Sequence, residues 1–292
     1  VNTTGATNVA IGNYALDANT TADGNTAVGY VAMGANTTGA SNLAVGAYCL
    51  DANTTASGNT GVGYGVLSTT VTGAQNTAVG YGALNQAVED NNTAIGYAAM
   101  QNCSTGEYNV AVGHAALDAA VTGDSNTAVG TSAMGVNTTG ARNVAIGAYA
   151  FDANTTGADN TALGYNALGA NTTADSNTAI GYQAMLLNST GTYNTAIGEA
   201  TLDANTTGNN NVALGHAALG ANTTAGNNVA VGFWALLLNT TGANNVAVGY
   251  DALGDNTTAA NNVAVGAYSL DANTTGASLV AVGQNSLSAN TT

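Results

Sequence analysis

The chain has 292 residues and a formal net charge of −15, from sixteen acidic residues against a single arginine. Nucleic-acid binding and binding to anionic membranes both depend on clustered Lys and Arg, so this composition excludes both. Charged residues total only 6% of the chain, which is too few for a charge-rich disordered polypeptide.

An aliphatic residue followed by glycine recurs along the whole chain, and all but one of the steps between these glycines are seventeen residues long. The step from Gly80 to Gly96 is one residue shorter. Such a period is typical of one small unit stacked on itself, in which each copy contacts only its neighbours. We therefore expect residues 1–292 to form a single continuous repeat array. The repeat glycines are Gly12, Gly29, Gly46, Gly63, Gly80, Gly96, Gly113, Gly130, Gly147, Gly164, Gly181, Gly198, Gly215, Gly232, Gly249, Gly266 and Gly283.

Each unit runs in the same order, summarised by the consensus N-(T/V)-A-(V/I)-G-Y-x-A-L-x-A-N-T-T-G-A-x. The segment before the glycine is β-branched at alternate places, which favours a strand. Leu, Met or Phe stands four residues after the glycine, and an Asn-Thr-Thr-Gly segment typical of turns follows. Seventeen residues suffice for two short strands and two turns. The repeat thus predicts an all-β chain, a parallel β-solenoid or β-roll of about 17 coils with two short sheets and almost no helix.

Strand alternation sorts the positions of the unit between two faces. We expect the aliphatic residue before the glycine to lie in the core, together with the Leu or Met four after it; Val129 is one such position. The Ala two before the glycine then points outward, where a neighbouring chain packs closely or the next turn leaves no room. The outer position after the glycine, such as Thr131, is expected to tolerate a charge.

Two columns of asparagine follow the repeat, one starting at Asn8 and the other at Asn19. Stacked amides at strand spacing hydrogen-bond from coil to coil, and we expect this structural role for both columns. The second column also matches the N-glycosylation acceptor Asn-x-Ser/Thr, which is the alternative interpretation. The candidate glycosylation sites are Asn19, Asn36, Asn53, Asn137, Asn154, Asn171, Asn188, Asn205, Asn222, Asn239, Asn256 and Asn273.

No catalytic, metal or cofactor constellation is expected. His114 and His216 occupy the same repeat position six units apart, too far to share a ligand. Asp stands five after the glycine in six units, and none of these has Tyr directly after its glycine. The two positions therefore share an environment; solvated turn Asp is favoured over calcium binding. Cys49 and Cys103 are three coils apart, too far for a disulfide.

No apolar stretch reaches transmembrane length, so we expect no membrane insertion. The chain lacks an initiator Met and begins and ends within the repeat. From this we expect a fragment of a longer polypeptide.

Two groups of proteins resemble these units. The segment Asn228–Gly232 is similar to the head repeats of YadA-like trimeric autotransporter adhesins. The longer stretch Asn160–Ala174 (NTALGYNALGANTTA) resembles repeats of tail-fibre-type and surface proteins of phages, large viruses and bacteria. The resemblance covers essentially the whole chain. It implies a left-handed parallel β-roll, assembly into trimers, and attachment to a host or a neighbouring cell.

These observations together predict a non-enzymatic structural or adhesive fibre at a cell or virion surface, outside the cell. The expected partners are other copies, as a homotrimer or an end-to-end or lateral filament, and a surface receptor or glycan. The alternative function is an ice-binding or carbohydrate-binding solenoid surface. The ice-binding alternative is weakened because the two adjacent Thr of the turn point to opposite faces of an extended strand.

Overall fold

The computed structural model of the chain describes residues 2–86, 89–119 and 121–292. The chain divides into two compact units, Val1–Arg142 (unit 1) and Asn143–Thr292 (unit 2). Both are built from the same coil, and the described ranges contain strands and turns but no helix. The prediction of a single continuous array over 1–292 stays a prediction. The shortened step after Gly80 includes residues 87 and 88, which lie outside the described ranges.

Every coil contributes one strand of three residues, placed directly before its glycine. The strands of unit 1 are β1 (Val9–Ile11), β2 (Thr26–Val28), β3 (Leu43–Val45), β4 (Thr60–Val62), β5 (Thr77–Val79), β6 (Thr93–Ile95), β7 (Val110–Val112) and β8 (Thr127–Val129). The strands of unit 2 are β9 (Val144–Ile146), β10 (Thr161–Leu163), β11 (Thr178–Ile180), β12 (Thr195–Ile197), β13 (Val212–Leu214), β14 (Val229–Val231), β15 (Val246–Val248), β16 (Val263–Val265) and β17 (Val280–Val282).

Within each unit, a strand pairs in parallel with the strand of the next coil, and equivalent residues lie opposite each other. Ala94 faces Ala111, for example, and Ile95 faces Val112. The register is the repeat itself, so every repeat position forms a column along the stack. This arrangement confirms the predicted all-β fold, a parallel β-solenoid with a seventeen-residue repeat.

The second sheet that the sequence predicted does not form. The half of the coil after the glycine is a chain of turns, in which Val31 and Met33 have φ values of 57° and 48°. A segment in which every second residue has a left-handed backbone conformation cannot form a β-strand. Coil-to-coil hydrogen bonds persist nevertheless: the Met33 N–H donates to the Cys49 carbonyl at 2.9 Å. The turns therefore stack as regularly as the strands do.

The side chains of the strand point the opposite way from the prediction: the residues predicted to face the core face outward, and the reverse. The central Ala of β2–β17 is buried, with Gly61 in its place in β4, whereas the flanking aliphatic residues are half-buried or exposed. Val129, predicted to be buried, is a half-buried residue on the outward side of β8. The predicted exposure of Thr131 is confirmed, and so is the burial of the Leu, Met or Phe column from Leu16 to Leu270.

The narrow interior explains why alanine faces inward. One coil encloses the strand's central side chain together with an Ala and a Leu or Met from the turns opposite, and these fill the space. The exception in β4 shows the limit: a Cβ on Gly61 would lie 2.6 Å from the Sγ of Cys49 and 3.4 Å from a methyl of Val66. Cys49 and Val66 occupy the position that is usually Ala, so glycine compensates for their volume.

We expect Gly61→Ala to destabilise unit 1 by about 1–3 kcal/mol, because it overpacks this layer. The same substitution should cost much less in a Cys49→Ala background, since that change removes the nearest atom. Thermal unfolding of the two single variants and the double variant measures the coupling. Additive effects would show that the two residues do not share one packing space.

Both asparagine columns lie inside the coil and confirm the predicted ladders. In the first column, the Oδ1 of Asn109 accepts the backbone N–H of Asn126 at 2.8 Å. The Nδ2 of Asn109 donates to the Gly123 carbonyl at 3.0 Å. In the second column, the Nδ2 of Asn222 donates to the Oδ1 of Asn205 at 2.9 Å. These bonds satisfy backbone groups that the turns would otherwise leave buried and unpaired.

Candidate functional site

The outward side of the strands is an apolar surface, which we call the outer sheet face. It consists of the first and third residue of each strand: the third is always Val, Ile or Leu, and the first is Thr in eight strands and Val or Leu in the others. No charged residue interrupts it. Ile95 in unit 1 is 41% exposed, and Leu163 in unit 2 is 40% exposed. Each unit thus presents to solvent an uncharged strip, in which a continuous aliphatic column lies beside a mixed column of Thr, Val and Leu.

A row of aromatic rings runs next to the outer sheet face, and we call it the aromatic ladder. Its rings come from the first or the second residue after the repeat glycine. In unit 1 the ladder consists of Tyr14, Tyr30, Tyr48, Tyr64, Tyr81, Tyr97 and His114. In unit 2 it consists of Tyr149, Tyr165 and Tyr182 and, after a coil with Glu199, of His216, Phe233, Trp234, Tyr250 and Tyr268.

The position of each ring within its coil decides how the rings meet. Tyr30 and Tyr48 come from different positions after the glycine and meet edge to face, with planes 80° apart. Tyr64 and Tyr81 come from the same position and are parallel to within 9°. Rings from one column are close to parallel in most pairs, although His216 and Phe233, also from one column, are tilted by 32°. A change of column turns the ring further.

This ladder was not among the predictions from the sequence, which considered only the position directly after the glycine. A signal was present: where Ala or Asn follows the glycine, as Ala47 or Asn13 does, the next residue is Tyr. Either position therefore supplies a ring to the same row.

Of the six Asp residues five after the glycine, four belong to coils that take the ring from the second position. Asp51 contributes to a raised pKa of Tyr48, after desolvation and the neighbouring tyrosines, but Tyr48 is the second residue after its glycine. The predicted proximity to the residue directly after the glycine is found at Asp118: desolvation raises the pKa of this carboxyl, and a hydrogen bond and His114 lower it. Desolvation raises the pKa of Asp51, Asp152 and Asp203 themselves, against hydrogen bonds from their own backbone amides. These carboxylates are half-buried rather than fully solvated.

The twelve candidate glycosylation sites, from Asn19 to Asn273, are all buried. The Nδ2 of Asn256, for example, donates to Asn239 Oδ1 at 2.8 Å and to the Ala259 carbonyl at 3.0 Å. A glycan on that nitrogen would have to displace the ladder. Glycosylation of this column and the folded coil therefore exclude each other. The first Thr of the turn is likewise engaged, since the Thr37 hydroxyl donates to the Thr54 carbonyl at 3.0 Å.

The remaining candidate residues are not brought together into a reactive site. His114 stacks on Tyr97 with ring centroids 5.2 Å apart, and His216 lies 3.9 Å from a carboxylate oxygen of Glu199. Cys49 and Cys103 are free and buried, and desolvation raises their pKa values to about 12 and about 11, which keeps both thiols protonated at neutral pH.

In the described ranges, no group of three His, Cys, Asp or Glu side chains is placed to hold a metal ion. Those ranges also contain no helix long and apolar enough to cross a membrane.

Comparison with models of known protein families gives no match, and comparison with curated proteins gives none either. The features of this chain that can carry a function are the outer sheet face and the parallel part of the aromatic ladder.

Proposed function

We propose that this chain is a non-enzymatic structural and adhesive fibre protein whose coils associate with other copies of the same chain. The observation that carries the proposal is the outer sheet face, which has an aliphatic residue at the third position of every strand, Thr, Val or Leu at the first, and no charge. A single chain leaves this face in water. Burying it is favourable at roughly 25 cal/mol per Å² of apolar surface.

The size of the face is that of a functional apolar patch. In unit 1, eight strands of three residues cover about 38 Å by 10 Å, taking a strand spacing of about 4.8 Å and a rise of about 3.3 Å per residue. Contiguous apolar patches of roughly 300–600 Å² are the largest on typical monomers and are commonly functional. Unit 2, with nine strands, has a face of similar size.

A second copy is the occupant that this surface fits. Side chains on the face repeat at the coil spacing, so two copies present the same spacing and can interdigitate along their length, as identical strands do in steric zippers. A homotrimer or a filament outside the cell, at a cell or virion surface, is the assembly we propose.

We expect the chain to assemble at micromolar concentration, with a mass in light scattering above that of one chain. Val112→Asp, on the outward side of β7, should shift the protein toward monomer, because it places a charge on the outer sheet face. Thr131→Asp, at an exposed position after the glycine, is the matched control and should leave the assembly intact. A wild-type chain of monomer mass, or equal effects of both variants, would contradict the role of this face.

A further inference from the structure

Four rings of the aromatic ladder in unit 1 form its longest parallel run. Tyr64, Tyr81, Tyr97 and His114 follow one another in successive coils, and we call them the ring row. Their centroids are separated by 5.3, 5.4 and 5.2 Å, with interplanar angles of 9°, 9° and 6°. Nearly identical spacing and orientation make the row a periodic platform.

The rings leave surface open to solvent. Their centroid separations exceed the about 3.5–4.0 Å between parallel rings in direct face-to-face contact, so neighbouring rings do not cover one another completely. Tyr64, Tyr81 and Tyr97 are 50%, 54% and 55% exposed, and His114 is exposed as well.

Neutral amides lie beside the row where glycine leaves room for them. The Nδ2 of Asn85 would lie 3.8 Å from a Cβ on Gly65, and the Nε2 of Gln101 would lie 3.6 Å from a Cβ on Gly82. Hydrogen bonds to the Gly65 carbonyl at 3.0 Å and the Ser68 hydroxyl at 2.8 Å fix the Asn85 amide. The Oδ1 of Asn85 and the half-buried amide of Gln101 can then form hydrogen bonds with a ligand.

We propose that the ring row, with Asn85 and Gln101, is a binding site for a linear neutral glycan that lies along the stack. The apolar C–H faces of successive sugar rings would cover the open ring faces, and sugar hydroxyls would bond to the two amides and the tyrosine hydroxyls. Flat aromatic surface combined with a few fixed amides is the composition that such an amphipathic, uncharged ligand requires. The inference deepens the adhesive part of the proposed function and rests on it.

Other ligands that use aromatic platforms fit this site less well. Single-stranded nucleic acid stacks on such rings but needs a positively charged groove, and the whole chain has only one basic residue other than histidine. A cationic peptide would gain from the rings and from the negative net charge. The acidic Asp118 interacts with His114 at one end of the row. Asn85 and Gln101, beside Gly65 and Gly82, are neutral amides and give a cation no ion pair along the rest of it.

The test is calorimetric titration of the full chain with hexasaccharides of β-1,4-linked glucose and of β-1,4-linked N-acetylglucosamine. We expect at least one to bind, and the Tyr81→Ala/Tyr97→Ala double variant to bind at least about tenfold more weakly. Gln101→Ala should weaken binding less. Tyr30→Ala is the control, because Tyr30 is 45% exposed but meets its neighbours edge to face outside the row. It should leave the affinity unchanged.

Circular dichroism and light scattering on each variant separate this inference from the assembly proposal. If the wild-type chain is a monomer and still binds the glycan, the result supports the ring row and contradicts only the assembly. Three results would overturn the ring row: no binding of either hexasaccharide at millimolar concentration, equal weakening by Tyr30→Ala, or binding of an oligoarginine peptide in place of the glycans. A double variant that changes the assembled mass and not the glycan affinity would overturn it too, by placing the rings between copies.

Discussion

Gly113→Ala is expected to open unit 1 around β7 and to lower its free energy of unfolding by about 3–5 kcal/mol. Gly113 has φ = 139°, a conformation that is essentially restricted to glycine. A Cβ at this position would lie 2.5 Å from the Gly130 carbonyl oxygen, and that oxygen belongs to the backbone of the next coil. Backbone strain and steric overlap therefore act together, and neither can be relieved by a side-chain rotation.

The matched control is Gly82→Ala, in the same unit. Gly82 has φ = 62°, and the nearest atom to an added Cβ is the side-chain Nε2 of Gln101 at 3.6 Å. Ala98 occupies the equivalent position of the following coil with φ = 54°. We therefore expect Gly82→Ala to cost only about 1 kcal/mol. Limited proteolysis with a broad-specificity protease, read by mass spectrometry, shows whether the chain opens near β7 in one variant and not in the other.

The fold was predictable because it depends on the period and on a few local rules. A strict seventeen-residue repeat without proline requires stacked coils, and alternating β-branched residues before glycine place the strand. The asparagine ladders were predictable for the same reason, since stacking places identical amides of adjacent coils within hydrogen-bonding distance of each other. None of these predictions depends on the width of the coil.

The two faces of the strand were not predictable from hydrophobicity alone. The larger aliphatic residues are usually the buried ones, and that rule assigned Val129 to the core. The interior is too narrow for it, and this limit is a property of the closed coil rather than of any residue. The fourth repeat contains a clue. Gly61 stands there in place of the strand's central Ala, and Cys49 and Val66 stand at a turn position that is otherwise usually Ala. Compensating volumes of this kind indicate an inward position.

The aromatic ladder was hidden because its rings are divided between two sequence positions. Tyr48 and Tyr64 are sixteen residues apart, not seventeen, so a column-by-column comparison separates them. In three dimensions their ring centroids are 5.7 Å apart. The turn after the glycine lets either residue reach the same side of the coil. Only the backbone path of that turn reveals that the two positions are equivalent.

The inverted faces lead to a second large effect, in the middle of unit 2. Ala213 lies at the centre of β13, fully buried and opposite Ala196 and Ala230 of the adjacent strands. Ala213→Asp would put a carboxylate into the closed interior of the coil, and unit 2 has no Lys or Arg to pair with its charge. We expect the free energy of unfolding of unit 2 to fall by more than about 4 kcal/mol and the unit to open at this coil, because a buried unpaired charge must be neutralised or hydrated.

Leu214→Asp provides the control in the same strand. Leu214 is the next residue, half-buried on the outer sheet face, so its carboxylate reaches water without entering the coil. The variant should retain its β-sheet circular dichroism and its resistance to proteolysis, and should lose assembly instead. This contrast would show that the inward column, with Ala213, stabilises the fold and that the outward column, with Leu214, mediates association. Collapse of the Leu214→Asp coil alongside an intact Ala213→Asp coil would mean that the aliphatic column is the core after all, and that the narrow interior described above is wrong.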